Sequence, residues 1–348
     1  MKSMIKVLIT GGSGFFGGVL KRRLLKEGFT CVNLDLLPDS DNHPRLNSIQ
    51  GDIRDPALLD RLFKEERFDA VVHCAANLAH GQINHQSLWS SNVDGTRYLA
   101  ETCRRSGVRK FVFISTNCLW AHNLGRPVLE TDIPRPVEAY GESKLAAEQV
   151  LANYSPDLDV VVLRCPTIID SGRLGLLAIL FEFIHDGNTV WVVGKGDNRY
   201  QFIYAQDLAT ACMRALDFEG SATFHVGSDN VKPLREVYDA VIRSANSGSR
   251  VRSFPKRLAL NALRIAYKLN ISPLGPYHYR MIAEDFIFDT SKAQQRLNWQ
   301  PTLTNEEMLL EAFRYYSERK EEIHNRRDTS AHKRPASMGI IRMVKWMS

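Results

Sequence analysis

Along the first half of the chain, apolar residues fall into short continuous runs separated by stretches of helical period. The runs are Val7 to Ile9, Cys31 to Leu34, Ala70 to His73, Phe111 to Ile114 and Val160 to Leu163. Helical patterns occupy Val19 to Lys26, Ala57 to Lys64, Leu88 to Ser106 and Ala139 to Ala152. A strand without an alternating polar face is covered on both sides. Its regular exchange with helices predicts an α/β fold with a doubly wound parallel sheet. Beyond residue 166 the rhythm loosens: short strands (Val190 to Val193, Phe202 to Tyr204, Phe224 to Val226) mix with helices (Leu208 to Leu216, Leu234 to Ser244). A basic amphipathic helix is expected over Lys256 to Leu269, and a last one from Asn305 to about Lys320. The expected organisation is a sheet domain over residues 1–165 and a smaller α+β C-terminal portion over 166–318, able to lend an element back to the sheet. A basic tail follows over 319–348.

Composition fits this picture. The 348 residues are 44% hydrophobic and 24% charged, which excludes a disordered or collagen-like chain. The net charge of +6 is concentrated at the end, where residues 319–348 hold eight Lys or Arg against three Asp or Glu. The body is close to neutral, which argues against a nucleic-acid-binding protein. Six scattered cysteines form no CxxC pair and no zinc-ligand spacing, so free thiols in a reducing cytoplasm are expected. With no apolar stretch of membrane-spanning length, the chain reads as soluble.

The first strand runs into Thr10-Gly11-Gly12-Ser13-Gly14-Phe15-Phe16-Gly17 and then into a helix. Gly11 allows the tight turn, Gly14 lets backbone N–H groups approach a pyrophosphate, and Gly17 allows close helix–strand packing. Asp35, ending the second strand 24 residues after Gly11, suits the ribose hydroxyls of NAD and repels the extra phosphate of NADP. Asp52 and Ile53 follow a third strand, where they suit the adenine, while Asp55 before Pro56 reads as a helix N-cap. Tyr140 and Lys144 share one helix face at i and i+4. An ammonium beside a phenol favours the phenolate and suits it to proton transfer. Thr116, at the carboxyl end of the Phe111 to Ile114 strand, is the expected second hydroxyl.

Taken together, Thr10 to Gly17, Asp35, Asp52-Ile53, His73 to Ala76, Asn92, Ser115-Thr116, Tyr140 to Lys144 and Phe202 to Asp207 resemble the extended short-chain dehydrogenase/reductases, in their NAD-dependent epimerase/dehydratase branch. The resemblance implies a Rossmann domain, a C-terminal substrate-binding part and a homodimer. It implies Tyr140 as general acid/base, Lys144 on the nicotinamide ribose, and Thr116 completing the set. Ala75, Ala76 and Asn92 are implied to line the cofactor, and Pro166 to lie near the nicotinamide. In 4,6-dehydratases of this branch the catalytic Thr is followed by Asp and Glu. Here Asn117 and Cys118 follow, which favours an epimerase or oxidoreductase acting on a nucleotide sugar. Thr167 stands where related 4-epimerases carry Asn. Tyr200 stands where they carry a diphosphate-contacting Arg, with Arg199 one step earlier. Asn117, Thr167 and Arg199 are the candidate substrate residues. The segment from Lys256 to Pro301 also resembles 3β-hydroxysteroid dehydrogenases, so a lipid-alcohol dehydrogenase is the alternative, and a non-catalytic NAD-sensing scaffold a third.

Ile340, Ile341, Val344 and Met347 share a helical face, with Arg342, Lys345 and Trp346 around it. Such an end suits either peripheral contact with an anionic membrane or docking on protein. His80 and Cys118, near the expected site loops, read as loop decoration or core filling.

Overall fold

The computed structural model describes residues 5–78, 84–120, 122–173, 177–268 and 281–325, without the side chains of 266–268, 324 and 325. The terminal helix expected within 338–347, and His80, lie outside the described residues.

Seven parallel strands form the central sheet: β1 (Lys6–Thr10), β2 (Thr30–Asp35), β3 (Leu46–Gln50), β4 (Ala70–His73), β5 (Lys110–Thr116), β6 (Asp159–Cys165) and, far along the chain, β10 (Ala222–His225). Their order is β10-β6-β5-β4-β1-β2-β3. The strand order reverses between β1 and β4, which is where ligands bind in such sheets, at the carboxyl ends. Val7 and Ile9 pack on one face with Leu20, Leu24, Leu208 and Cys212, while Leu8 faces Leu34, Leu62 and Leu99 on the other. The two-residue period of a strand produces that division.

Helix α1 (Phe15–Lys26) covers the first face, joined by α7 (Ala205–Asp217). Helices α2 (Pro56–Glu65), α4 (Gly95–Arg105) and α5 (Ala139–Ala152) cover the second. Asp55 caps α2, its carboxylate accepting from the N–H groups of Ala57 and Leu58, with Pro56 at the first turn. The expected helix over Leu88 to Ser106 is instead α3 (His85–Trp89), a π-turn (Ser90–Asp94) and α4 in succession. All six cysteines are free.

The C-terminal portion packs α6 (Leu177–His185), α8 (Leu234–Ser244) and the helix Asn305–Glu318 around a core of Phe181, Val237, Leu309 and Tyr316. Two small parallel sheets accompany it, β7 (Thr167–Ile169) with β9 (Phe202–Tyr204), and β8 (Val190–Val193) with β11 (Val251–Phe254). Helix α9 (Lys256–Lys268) follows β11 directly. The portion is tied to the sheet domain through Asp207, whose buried carboxylate accepts from the backbone and hydroxyl of Thr302 at 2.8 and 2.7 Å. Trp299 donates its indole N–H to the Asp207 carbonyl at 2.7 Å.

Candidate active site

The glycine loop leaves β1 at the switch point. Gly11 sits at φ +76°, and a side chain there would strike the backbone N of Ala75 at 2.7 Å. Gly17 is closed to any side chain, since a Cβ would lie 2.1 Å from the Gly11 carbonyl oxygen. Helix α1 starts from Gly14 without a side-chain cap, so first-turn N–H groups remain available to an anion. Phe15 and Phe16 point inward and are buried. Asp35 accepts from the N–H groups of Ser13 and Leu37, both at 2.9 Å, and so faces the loop from the end of β2. These residues fit a dinucleotide: donors for a pyrophosphate, glycines where the backbone must come close, and a carboxylate where a ribose would lie.

Asn33 was not singled out from the sequence. Its side-chain oxygen accepts from Gly12 N–H at 2.9 Å, and its amide donates to Ser13 and to Asp39. The buried Lys21 pairs with Asp39 and Asp41. This network braces the first turn of the loop from behind. Asp52 is engaged by Arg54, which holds its carboxyl below the usual range. Ile53 is buried beneath Gly95. Ala75 and Ala76, just after β4, stand half-buried and exposed beside the glycine loop.

Asn92 lies one layer further back. Its oxygen accepts from Asn77 N–H at 2.7 Å, and its amide donates to the Asn77 carbonyl and to Ser143 at 3.0 and 2.9 Å. Ser143 in turn donates to the Tyr140 carbonyl at 2.8 Å. Thr96 donates to the Asn92 carbonyl, so it accepts from His73 Nε2–H, leaving His73 Nδ1 to accept from Thr10. Burial, then the charge of Lys144, push the His73 pKa down to about 3, which keeps this bridge neutral. A hydrogen-bonded chain thus joins the strand before the glycine loop to the helix that carries Tyr140.

The three expected catalytic residues lie on β5 and α5, at the carboxyl edge of the sheet. Thr116 ends β5, in register with Cys165 of β6, and Pro166 follows buried behind it. Thr116 Oγ1 accepts from Cys118 N–H at 3.1 Å and caps the turn Asn117–Leu119. Helix α5 begins tight against this turn, because Gly141 has no side chain: a Cβ would lie 2.4 Å from the Cys118 carbonyl oxygen. That close approach sets the start of α5, and with it Tyr140, against the turn at Cys118. Burial pushes the Tyr140 phenol up, with Cys118 and Cys165 adding to the shift and Arg173 opposing it. Lys144 is buried one turn on, its Nζ 3.8 Å over the Phe113 ring. Burial lowers its pKa to about 8, against the opposing charge of Glu148. Arg173, stacked 5.8 Å over Phe15, is a cation whose field favours the phenolate.

Beside this edge a cleft of about 480 Å³, counting space open to solvent, is lined by Asn117, Trp120, Glu138, Tyr200 and Phe286 among others. Asn117 donates to the Tyr200 hydroxyl at 2.7 Å, and Thr167 lies 3.4 Å from the same oxygen. Two of the three expected substrate residues therefore meet at Tyr200, a buried side chain. Arg199 is exposed, and its backbone N–H bonds to Asp285 at 2.7 Å. Adjacent residues of an extended segment point to opposite faces, so burying Tyr200 turns Arg199 outward.

The sheet order, the glycine loop and the Tyr–Lys helix define a dinucleotide-binding short-chain dehydrogenase/reductase fold. A family model, the NAD-dependent epimerase/dehydratase family, matches residues 7–227, and the chain belongs to that family, whose cofactor is NAD. The chain is 33% identical over 343 residues to protein y4nG of Sinorhizobium fredii, covering 97% of this chain and 85% of that one. It is 28% identical over 353 residues to UDP-glucose 4-epimerase of Neisseria meningitidis, covering 90% and 98%. The fold is also that of UDP-glucose 4-epimerase from Thermotoga maritima, solved with UDP-glucose, at a TM-score of 0.75, 23% identity and coverage of 90% and 99%.

Proposed function

We propose that the protein oxidises and re-reduces a secondary alcohol of a nucleotide sugar, as a 4-epimerase or ketoreductase rather than a 4,6-dehydratase. What supports this reading is the cleft walled by Asn117, Cys118 and Tyr200 beside the turn that Thr116 caps, with Gly141 bringing the helix of Tyr140 and Lys144 against Cys118 of that turn. NAD, when bound, supplies a hydride acceptor whose reduced form returns the hydride. Gly11, Gly14, Gly17 and Asp35 would hold it, with Ala75, Ala76 and Pro166 beside its path.

The Tyr140 phenolate takes the hydroxyl proton as the carbinol C–H bond breaks, leaving a ketone. The same phenol returns the proton when hydride adds back. Thr116 would hydrogen-bond the reacting oxygen, and Lys144 would bind the nicotinamide ribose. Asn117 and Cys118 carry no carboxylic acid with which to drive water elimination. The identity to curated UDP-glucose 4-epimerases over most of their length supports the sugar-nucleotide class. A lipid alcohol is the second reading, favoured by the aromatic lining of Trp120, Tyr200 and Phe286, with no Lys or Arg among the described lining residues.

The test is incubation of the NAD-loaded protein with a panel of UDP-sugars, following absorbance of the reduced cofactor and configuration at C4. Epimer without accumulation of reduced cofactor is expected. Tyr140→Phe should retain NAD while turnover falls by roughly 10²- to 10⁴-fold. Net reduction of the cofactor by a sterol, with no turnover of any nucleotide sugar, overturns the first reading. A 4-keto-6-deoxy product overturns the exclusion of dehydration and points to Glu138, the cleft carboxylate two residues before Tyr140.

A further inference from the structure

Helix α9 carries two apolar stripes. Ala259 is buried, with Leu260 and Leu263 half-buried against the body. Leu258, Ala262 and Ile265, at i, i+4 and i+7, form a second stripe that faces solvent, and Leu258 and Ile265 are 61% and 59% exposed. Arg257 and Arg264, seven residues apart, run as an exposed basic stripe alongside it.

The surface continues onto the neighbouring two-stranded sheet. Trp191 of β8 is in register with Arg252 of β11, and Phe254 is two residues along the same face. Trp191 and Phe254 are 40% and 42% exposed, with ring centroids 6.2 Å apart. Phe254 is separated from the first residue of α9 by Pro255 alone, and Gly194, just after β8, lies against Lys256. The segment is basic: from residue 240 to residue 283 the chain has eight Lys or Arg and no Asp or Glu. Among the described residues, Arg250, Arg252, Arg257 and Arg264 form no ion pair. Lys256 instead donates to the Ala283 carbonyl at 2.7 Å, next to Glu284, Asp285 and Phe286 of the cleft wall.

We infer that α9 and the exposed face of β8 and β11 form a docking surface for an anionic lipid bilayer, lying in the plane of the interface. A basic stripe beside an outward stripe of Leu and Ile, with Trp and Phe at one end, is the arrangement that sits at the boundary between headgroups and acyl chains. A second copy of this chain fits poorly: a two-fold contact through this face sets cation against cation. Nucleic acid satisfies the arginines and leaves Leu258, Ile265 and Phe254 facing water. Through Lys256 the surface is fixed to the wall of the substrate cleft.

The experiment is co-sedimentation of the full-length, NAD-loaded protein with vesicles of phosphatidylcholine alone, or mixed with phosphatidylglycerol. Binding is expected only to the mixed vesicles, weakening as salt rises. The double variant Leu258→Glu/Ile265→Glu should bind at least about tenfold more weakly while its melting temperature and NAD affinity are kept. A blue shift of tryptophan emission on binding should shrink in Trp191→Phe. Wild-type-like binding by the double variant overturns the inference and assigns the contact to the tail. Absence of vesicle binding, or capture of RNA with equal loss in the double variant, overturns it as well.

Discussion

Lys144 is held where a charge is costly. Its pKa of about 8 lies below the usual 10.5 because burial removes water from the ammonium, and Glu148 only partly offsets this. From about pH 8 to 10.5 the unfolded chain retains a proton that the folded chain has released, so stability rises with pH across that window. Below pH 8 the full penalty stands. At about 1.4 kcal/mol per pKa unit it amounts to about 3 kcal/mol. Lys144→Met should therefore raise the melting temperature at pH 7 by several degrees and flatten its rise between pH 8 and 10, while catalysis is lost. Calorimetric scans across that range check it, and a lower melting temperature at pH 7 refutes it. The i, i+4 pairing of Tyr140 and Lys144 was legible in the sequence because it is local. The place of Arg173 near the phenol was not: it depends on where the chain runs after β7, and a single Arg in a Gly-containing turn carries no pattern.

At the level of elements, the β1–α1 junction is governed by what each glycine faces. The space at Gly17 is filled by backbone, with the Gly11 carbonyl oxygen 2.1 Å and the Gly12 Cα 2.8 Å from a built Cβ, and neither can give way. At Gly14 a Cβ meets only the Gly11 carbonyl oxygen, at 3.1 Å, and the backbone is extended. Gly17→Ala is expected to cost several kcal/mol and lower the melting temperature, with NAD binding lost as the loop shifts. Gly14→Ala should melt close to the wild type and bind NAD roughly tenfold more weakly. Thermal melts and NAD titrations separate the two, and equal melting temperatures contradict the packing argument. Except for β3, whose LNSIQ is no apolar run, the strands over residues 1–165 could be read from their continuous apolar runs, and Asp55 with Pro56 marked the start of α2. Two features escaped that reading. The π-turn inside Ser90–Asp94 leaves the helical period of its residues intact, and β10 pairs with β6 across 61 residues, a choice no local sequence specifies.

Across the whole molecule, the sheet domain and the C-terminal portion meet at Tyr200. Its hydroxyl takes the Asn117 amide from the edge of the central sheet and lies near Thr167 of the small sheet β7–β9. Thr167 and Tyr200 are the expected departures from related 4-epimerases and Asn117 the expected departure from 4,6-dehydratases, and the fold gathers the three into one hydrogen-bonded cluster. The sequence showed each change alone, and the link between residues 117 and 200 appears only in three dimensions. A buried tyrosine hydroxyl in place of a guanidinium sets a neutral wall toward the cleft, with Arg199 turned to solvent on the opposite face. Tyr200→Phe removes only the hydroxyl, at a stability cost of about 1–3 kcal/mol. If this cluster orients the sugar, KM should rise severalfold with kcat nearly unchanged, and the ranking of nucleotide sugars should shift as Asn117 is released to turn toward substrate. Steady-state kinetics over a substrate panel decide it. An unchanged KM and ranking, with the melting temperature lowered, reduce the cluster to a brace between the two portions and move substrate discrimination elsewhere in the cleft.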